Sequence, residues 1–459
     1  MKLSNYNVFV HYEPDNIYIG YNCVSGGMYV FNEKQFKVVR EKLNTPNKVI
    51  ADEEKVIKEK LIKGRFLIDD DINELKMLKI RNNIARYNPN GLAIVIAPTL
   101  SCNFDCPYCY VDREKVSMNQ QTITKIKKFF KKRIQKTNYA AVCWTGGEPL
   151  LALDVVENLN SYFASEAKKK NAEFTCSMVT NGYLLTPSVI KRLKNCCIET
   201  LQITLDGYRE YHDRLRYTLN GEKTYSKILD NLVNASKNGF KIALRSNIEK
   251  DNYEGIYNLI DELAESEIDK NRLLFAPCMV MDVKTSKGNY CGNCFNKKEF
   301  AEIEPKVLLY SIKKGFKVSK QILSTHSTFC GANTLSLFVI DSYANVLKCW
   351  CNLGRAEDNK VGYVKEDGEI CFTNHKVLYQ WLDWDPFEIE ECVKCKVLPI
   401  CMGGCMYYNI IGETNGIEIG CSHRRHNLEE ILKVYYFSAT KGASQLKDIS
   451  MLNSSKLTI

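Results

Sequence analysis

The sequence predicts an α/β fold: a parallel sheet preceded by a small α+β module and followed by a cysteine-rich region. Three observations lead there. Residues 91–290 alternate between apolar strand-like runs and amphipathic helical runs, residues 1–90 form a separate composition zone, and beyond about residue 290 the alternation stops. At 459 residues the chain exceeds one ordinary core. The expected division is 1–90, 91–290, 291–425 and a C-terminal helix and tail at 426–459.

In chain order, YNVFVHYE, NIYIGYN and GGMYVFN read as short strands, with Asp15-Asn16 and Gly26-Gly27 supplying turns. EKQFKVVREKLN and EEKVIKEKLIKG follow as helices, the second with Gly64 as its expected C-cap. GLAIVIAPT is then an apolar strand, and QTITKIKKFFKKRI a helix with Ile123, Ile126, Phe130 and Ile134 on one side. AAVCWTGG, FTCSMVTNG, LQITLDG, KIALRSNIEK and LLFAPCMVM continue the strands. VVENLNSYFASEAKK, TPSVIKRLKN, TYSKILDNLVNASKNG and YEGIYNLIDELAES are the helices between them. Thr186 caps the third of these five helices, with Pro187 at its first position. Six strands interleaved with five helices favour parallel βα units, whose sites lie at the carboxyl ends of the strands. NLEEILKVYYFSATKG reads as the C-terminal helix.

Hydrophobic residues make up 45% and charged residues 25%, the composition of a soluble globular protein. No apolar run reaches membrane-spanning length, and MKLSNYNVFVHYEPDN lacks the apolar core of a signal peptide, so a cytoplasmic protein without a membrane partner is expected. The net charge of +9 is dispersed, and KKFFKKRIQK reads as the solvated side of a helix rather than a nucleic-acid patch. Twenty cysteines, in a reducing compartment, point to metal or catalysis more than to disulfides. Cys23, Cys143, Cys176, Cys196, Cys197 and Cys371 read as scattered thiols; the others cluster.

The first cluster of thiols directly follows the first strand of the alternating region: Cys102, Cys106 and Cys109 in one loop, with Tyr108 before the last. Three thiolates can grip three irons of a cube-shaped cluster and leave the fourth iron open. Zinc is a poorer reading, because a structural site wants four ligands and no fourth Cys or His lies close by; disulfide pairing leaves one thiol over. Thr145-Gly146-Gly147-Glu148-Pro149 ends the second strand, Thr204-Leu205-Asp206-Gly207 the fourth, and His212-Asp213 with Arg216 follows. Two glycines let backbone approach a ligand closely, and Glu148 can accept from an ammonium.

Cys-x3-Cys-x2-Cys followed in this order by GGEP, TLDG and HD-x2-R resembles the radical S-adenosylmethionine (SAM) superfamily. The resemblance implies a partial (β/α)6 TIM-like barrel over 91–290. In it, Cys102, Cys106 and Cys109 would hold a [4Fe–4S] cluster whose open iron chelates the amino and carboxylate groups of SAM. It also implies cofactor contacts at Tyr108, Gly146, Gly147, Glu148 and Thr204, the last in place of the usual serine. Arg216 would pair with the SAM carboxylate, and Asn181 and Met279 would be the candidates for ribose and adenine.

Cys330, Cys349, Cys392-x2-Cys395-x5-Cys401-x3-Cys405 and Cys421 resemble the seven-cysteine SPASM extension of radical SAM enzymes that modify peptides. That pattern expects glycine where Ala344 stands, in the turn from Asp341 to Asn345. The resemblance implies two auxiliary [4Fe–4S] clusters, hence three in all. Cys392, Cys395, Cys401 and Cys421 would hold one; Cys330, Cys349 and Cys405 would hold the other, with Cys278, Cys291, Cys294, Cys351 or a substrate thiolate as fourth ligand. A pair of zinc ribbons competes for CVKC…CMGGC but leaves the first loop unexplained.

Within that group, GLAIVIAPTLSCNFDCPYCY, VCWTGGEPLL and VLKCWCNLG are similar to maturases of ribosomally made peptides, including types acting on cysteine-rich precursors. The expected activity is thioether formation on a precursor whose leader is bound by residues 1–90, with electrons from a flavodoxin or ferredoxin-like donor. Anaerobic sulfatase-maturating enzymes are the alternative; those relatives carry an acidic residue after the second SPASM cysteine, where this chain has Trp350. An iron–sulfur electron-transfer module would have no use for Gly146–Glu148 and Arg216.

Overall fold

The computed structural model describes residues 1–45, 52–280, 284–285, 288–290, 293–411 and 420–441. The chain begins with three antiparallel strands in sequential order, β1 (Asn7–Tyr12), β2 (Ile17–Asn22) and β3 (Met28–Asn32). Asn32 then opens α1 (Glu33–Asn44) with a capping box: its side chain accepts from the Gln35 N–H, and the Gln35 side chain accepts from the Asn32 N–H. In the turn after α2 (Asp52–Lys63), the left-handed residue is Arg65 (φ 60°) and not the expected Gly64. Gly64 is required for a different reason: a Cβ there would run into the rings of Phe66 and Tyr29.

Helix α3 (Glu74–Tyr87) has no counterpart in the sequence reading. Its buried stripe is Glu74, Leu78, Asn82 and Arg86, a helical spacing filled mostly by polar residues, so hydrophobic periodicity could not reveal it. Each polar group has a distant partner. Glu74 accepts from Ser4 Oγ (2.6 Å), Asn82 donates to the Ser327 carbonyl (2.6 Å), and Arg86 donates to the Leu382 carbonyl. The helix thereby ties the N-terminal module to the cysteine-rich region.

The alternating region forms the expected parallel sheet. Its strands run in chain order: β4 (Gly91–Ile96), β5 (Tyr139–Trp144), β6 (Glu173–Val179), β7 (Thr200–Thr204), β8 (Lys241–Ile248) and β9 (Leu273–Met279). Six helices pack with it: α4 (Gln120–Ile134), α5 (Leu153–Lys169), α6 (Pro187–Asn195), α7 (Arg209–Leu215), α8 (Tyr225–Lys237) and α9 (Tyr253–Glu265). The short α7 carries the HD motif and adds to the five expected. Thr186 caps α6 as read, accepting from the Val189 N–H (3.5 Å). Ile123, Ile126, Phe130 and Ile134 all lie in the large core between sheet and helices.

The sheet does not end with β4. Beyond α10 (Lys297–Lys313), strand β10 (Leu337–Ile340) pairs parallel to it, Leu337 opposite Ala93 and Ile340 opposite Ile96. β11 (Asn345–Leu347), β12 (Gly362–Val364) and β13 (Ile370–Phe372) continue antiparallel to give ten strands. The cysteine-rich region therefore covers the open edge of the barrel sheet, whose backbone groups would otherwise lack partners. At the 341–345 turn, Ala344 itself takes a left-handed conformation (φ 66°). The Asp341 carboxylate accepts the N–H groups of Tyr343 and Asn345 (both 2.9 Å).

A second core joins β1 and β2 to α10, to Val397–Met402 and to the C-terminal helix α11 (Arg424–Lys441), through Val8, Ile19, Leu308, Leu398, Ile400 and Leu432. The tail beyond Lys441 lies outside the described residues. Between α10 and α11, the buried Glu304 carboxylate accepts from Arg424 Nη1 (2.8 Å) and Nη2 (3.1 Å) and from Asn427 (2.9 Å), with His423 Nε2 at 3.1 Å. Burial alone would raise the Glu304 pKa, but Arg424 and His423 hold it down at about 2. Arg424→Met strands that charge and is expected to lower stability in urea unfolding by about 3 kcal/mol. The double variant Glu304→Leu/Arg424→Met is expected to lose less than Arg424→Met alone.

Candidate active site and cysteine groups

The loop that follows β4 is held on both flanks. Thr99 Oγ1 donates to the Val116 carbonyl (2.6 Å), Ser101 Oγ to that of Glu114 (3.0 Å), and the Met118 N–H to Pro98 (2.9 Å). From the other side, the Asp105 N–H donates to Tyr217 and the Leu219 N–H to Asn103 (both 3.0 Å). Cys102, Cys106 and Cys109 sit inside this frame, and the Phe104 N–H points at Cys102 Sγ (3.4 Å). Burial pushes the Cys102 thiol up to about 12. It pushes Cys106 up to about 11, against the pull of Arg216.

Gly146 and Gly147 press directly on the same frame. The Gly147 N–H donates to the Thr99 carbonyl (3.1 Å), the Glu148 N–H to that of Ser101 (2.8 Å), and a Cβ on Gly147 would occupy the space of the Ser101 carbonyl. Glu148 is fully buried, and its carboxylate already accepts from Thr180 Oγ1 (2.7 Å), the Asn181 N–H (2.8 Å) and the Leu150 N–H (3.0 Å). It ties the glycine turn to the end of β6. Asn181 in turn donates to Asn103 Oδ1 (2.8 Å), beside Cys102.

Tyr108 reaches across to the end of β7, donating to Asp206 Oδ2 and accepting from Arg216 Nη1 (2.8 Å). Asp206 also accepts the Asn247 N–H (3.0 Å), and Arg216 stacks over Phe104 at 5.7 Å. Burial alone would lower the Arg216 pKa; Tyr108, Cys106 and Asp206 together hold it above its ordinary value. Arg216 Nε and Asn103 Nδ2 are buried without a hydrogen-bond partner. Two orphaned donors beside three thiols make a donor set suited to a cluster and an anionic ligand.

Thr204 lies at the end of β7, opposite Arg245 in register. Met279 ends β9 opposite Ile248 and packs against the core that Cys102 and Cys106 also touch. The neighbouring Cys278 faces Arg245, whose guanidinium it holds above the usual range together with Tyr110, Asp206 and Tyr108. Sequence reading missed Arg245 and Tyr110. The signal for the former was an arginine at an alternate position of an otherwise apolar strand, ALRSNIEK.

His212 is buried beneath the site, Nδ1 accepting from the Asp206 N–H (3.1 Å) and Nε2 lying 3.1 Å from Thr224 Oγ1.

The second region forms two thiol groups. Cys330 and Cys405 both neighbour Cys349, while Cys392, Cys395 and Cys421 surround Cys401. Among the described residues no three His, Cys, Asp or Glu side chains are close enough to share one metal ion. Thiolates that take separate corners of a cube stand farther apart than ligands of one ion. The Cys349 loop docks on the first loop: the Asp112 N–H donates to the Leu353 carbonyl and Arg355 Nε to Asp112 Oδ2 (both 3.2 Å). Tyr110 lies between, with Cys351, Cys109, Arg245 and Cys349 for neighbours.

Residues 96–263, from the end of β4 into α9, match the Radical SAM superfamily. The chain carries a radical SAM domain. Among relatives, it is 27% identical over 192 residues to the Fe-coproporphyrin III synthase of Methanosarcina barkeri, covering 41% of this chain and 45% of that one. It is 24% identical over 351 residues to the cysteine-type anaerobic sulfatase-maturating enzyme of Clostridium novyi, covering 69% and 88%. The chain spans about half the length of the first of these. Two solved structures share the fold of this chain. Native anSMEcpe with bound AdoMet and Kp18Cys peptide has TM-score 0.56 and 21% identity, over 77% of this chain and 98% of that one. Streptococcus suis SuiB bound to precursor peptide SuiA has TM-score 0.50 and 17% identity, over 92% and 99%. No helix among the described residues is long and apolar enough to cross a membrane.

Two outcomes follow for the radical SAM domain. Gly147→Ala is expected to displace Ser101 and cut the iron taken up by the Cys102 loop. Gly91→Ala, whose methyl would meet nothing nearer than 4.0 Å, leaves iron content unchanged. Burial and then Arg216 hold the His212 pKa well below 6.5. The folded state therefore keeps His212 neutral where the unfolded chain protonates it. Stability is lost as pH falls below about 6.5, by up to about 1.4 kcal/mol per pH unit from this group. Urea unfolding between pH 7 and 5 is expected to show a shallower loss in His212→Gln than in the unsubstituted chain.

Proposed function

We propose that this chain is a radical SAM enzyme that modifies a ribosomally synthesised precursor peptide, forming thioether links from its cysteines. Cys102, Cys106 and Cys109 would hold a [4Fe–4S] cluster that, with SAM, would supply the radical chemistry needed to remove hydrogen from an unactivated C–H bond. The chain's residues do the rest. Arg216, braced by Tyr108 and Asp206, offers its unpartnered Nε to the SAM carboxylate. The Gly146–Gly147 turn lets the cofactor approach backbone, and Glu148 and Asn181 keep that turn and Asn103 in place. Arg245, Asn247 and Thr204 line the inner ends of β7 and β8, where a substrate backbone can be held against the reacting carbon.

The observation that carries this reading is the convergence of the first cysteine loop and the Cys349 loop on Tyr110, which has thiols of both groups for neighbours. Seven cysteines in the SPASM order support two auxiliary clusters, one on Cys392, Cys395, Cys401 and Cys421 and one centred on Cys330, Cys349 and Cys405. The N-terminal strands and α1 form a compact module seated on the cysteine-rich region, suited to hold a leader peptide. SuiB, which shares the fold, is described with a precursor peptide bound. The external reductant is a flavodoxin or ferredoxin-like protein in this reading, and the chain works in the cytoplasm.

Sulfatase maturation is the second reading, favoured by the 88% coverage of the Clostridium novyi enzyme. Against it stands Trp350, half exposed at the position after Cys349, where no acid is available. Reconstituted enzyme, reductant, SAM and a cysteine-rich precursor encoded beside this gene should give product lighter by two hydrogens, located by tandem mass spectrometry at cysteine. An unchanged precursor mass, with formylglycine made instead on a sulfatase peptide, would replace the thioether reading by the second. Release of 5′-deoxyadenosine without any peptide separates both from a plain electron-transfer module.

A further inference from the structure

The group of Cys330, Cys349 and Cys405 lacks an assigned fourth ligand, and the candidates within this chain differ in where they lie. Cys349 and Cys351 flank Trp350 in one tight turn, closed by the Asn352 N–H on the Cys349 carbonyl (3.2 Å). Trp350 turns outward, 45% exposed. Both thiols turn the other way and pack, with Cys405, against the small core of Ala332, Trp381, Met406 and Tyr407. Cys351 lies beside Cys349 in that turn and packs on the same small core, and Cys330 and Cys405 also neighbour Cys349. Cys278 sits on β9 facing the barrel interior, and the charged groups that act on it are Arg245, Glu304 and Asp206. Cys294 lies near Tyr290, and Cys291 lies outside the described residues.

We propose that Cys351 is the fourth thiol ligand of the auxiliary cluster at Cys330, Cys349 and Cys405. This rests on the cluster-bearing reading above and deepens it. With Cys351 in place every corner of that cluster is held by the chain's own thiols. No iron is left open there for a substrate thiolate, and the peptide cysteine must be held by protein groups instead.

The test uses the full chain carrying Cys102→Ala, Cys106→Ala and Cys109→Ala, reconstituted anaerobically with iron and sulfide, so that only the second region contributes clusters. Adding Cys351→Ala is expected to lower iron and acid-labile sulfide by up to about half, or to leave a cluster that gives a three-iron EPR signal on mild oxidation. Cys278→Ala in the same background leaves iron, sulfide and EPR unchanged. Cys351→Ser, closer in size and with oxygen as donor, is expected to keep the circular dichroism of the parent and shift the EPR spectrum of the reduced clusters, which separates lost ligation from misfolding. Parent-like iron, sulfide and EPR in both Cys351 variants would overturn the assignment, as would a loss produced by Cys278→Ala. A parent that binds no iron overturns the auxiliary-cluster reading, and this assignment with it.

Discussion

The pairing of β10 with β4 fixes the geometry on which everything else depends. Four residues, Leu337–Ile340, supply hydrogen bonds to the open edge of a six-stranded parallel sheet. That single parallel ladder places the loop after β4, with its three cysteines, beside the loop after β11, with Cys349 and Cys351. The contact is then reinforced locally, by Asp112 on Leu353 and Arg355, and by the apolar cluster of Val95, Val111, Val339, Leu347 and Leu353. Two thiol groups more than two hundred residues apart in sequence are thereby brought together around Tyr110.

Within the radical SAM domain, the cysteine loop is shaped from outside rather than by itself. Its backbone hydrogen bonds go to Val116, Glu114, Tyr217, Thr218 and the Gly146–Glu148 turn. The buried Glu148 carboxylate is satisfied by three donors from two strand ends, which ties those ends together and offsets part of its desolvation. Arg216 is different: one nitrogen is engaged with Tyr108 and another is left without a partner in a buried place. Such an imbalance is costly in a structural ion pair and sensible in a site that waits for an anion.

The N-terminal module shows the same economy. It has no large core of its own beyond Phe31, Phe36, Val39, Leu61 and Phe66, and much of its β1–β2 face is buried on α11 and on the Val397–Met402 segment between the cysteines. The strut α3 adds polar anchors at both ends. A module packed this way shares its core with the cysteine-rich region.

Much of this was legible from residues alone. The period-2 and period-3.6 patterns gave the six strands and their main helices because each buries one apolar face, and that requirement is written locally. The motif cysteines, the glycine turn and Arg216 were legible because few chemistries use those residues at those spacings. Other features were set by contacts that no local pattern records. Helix α3 buries a polar stripe whose partners lie up to 296 positions away. Cys278 came to face Arg245 only through the register of β9 against β8. Arg245 entered the site through the pairing of β8 with β7 and β9, and Tyr110 met the Cys349 loop only when the β10–β4 ladder brought the two cysteine loops together. The chain's sequence determined its domain chemistry through residue type and spacing. Which thiols and cations face one another was decided by long-range strand pairing, because register and edge choice are properties of the assembled sheet.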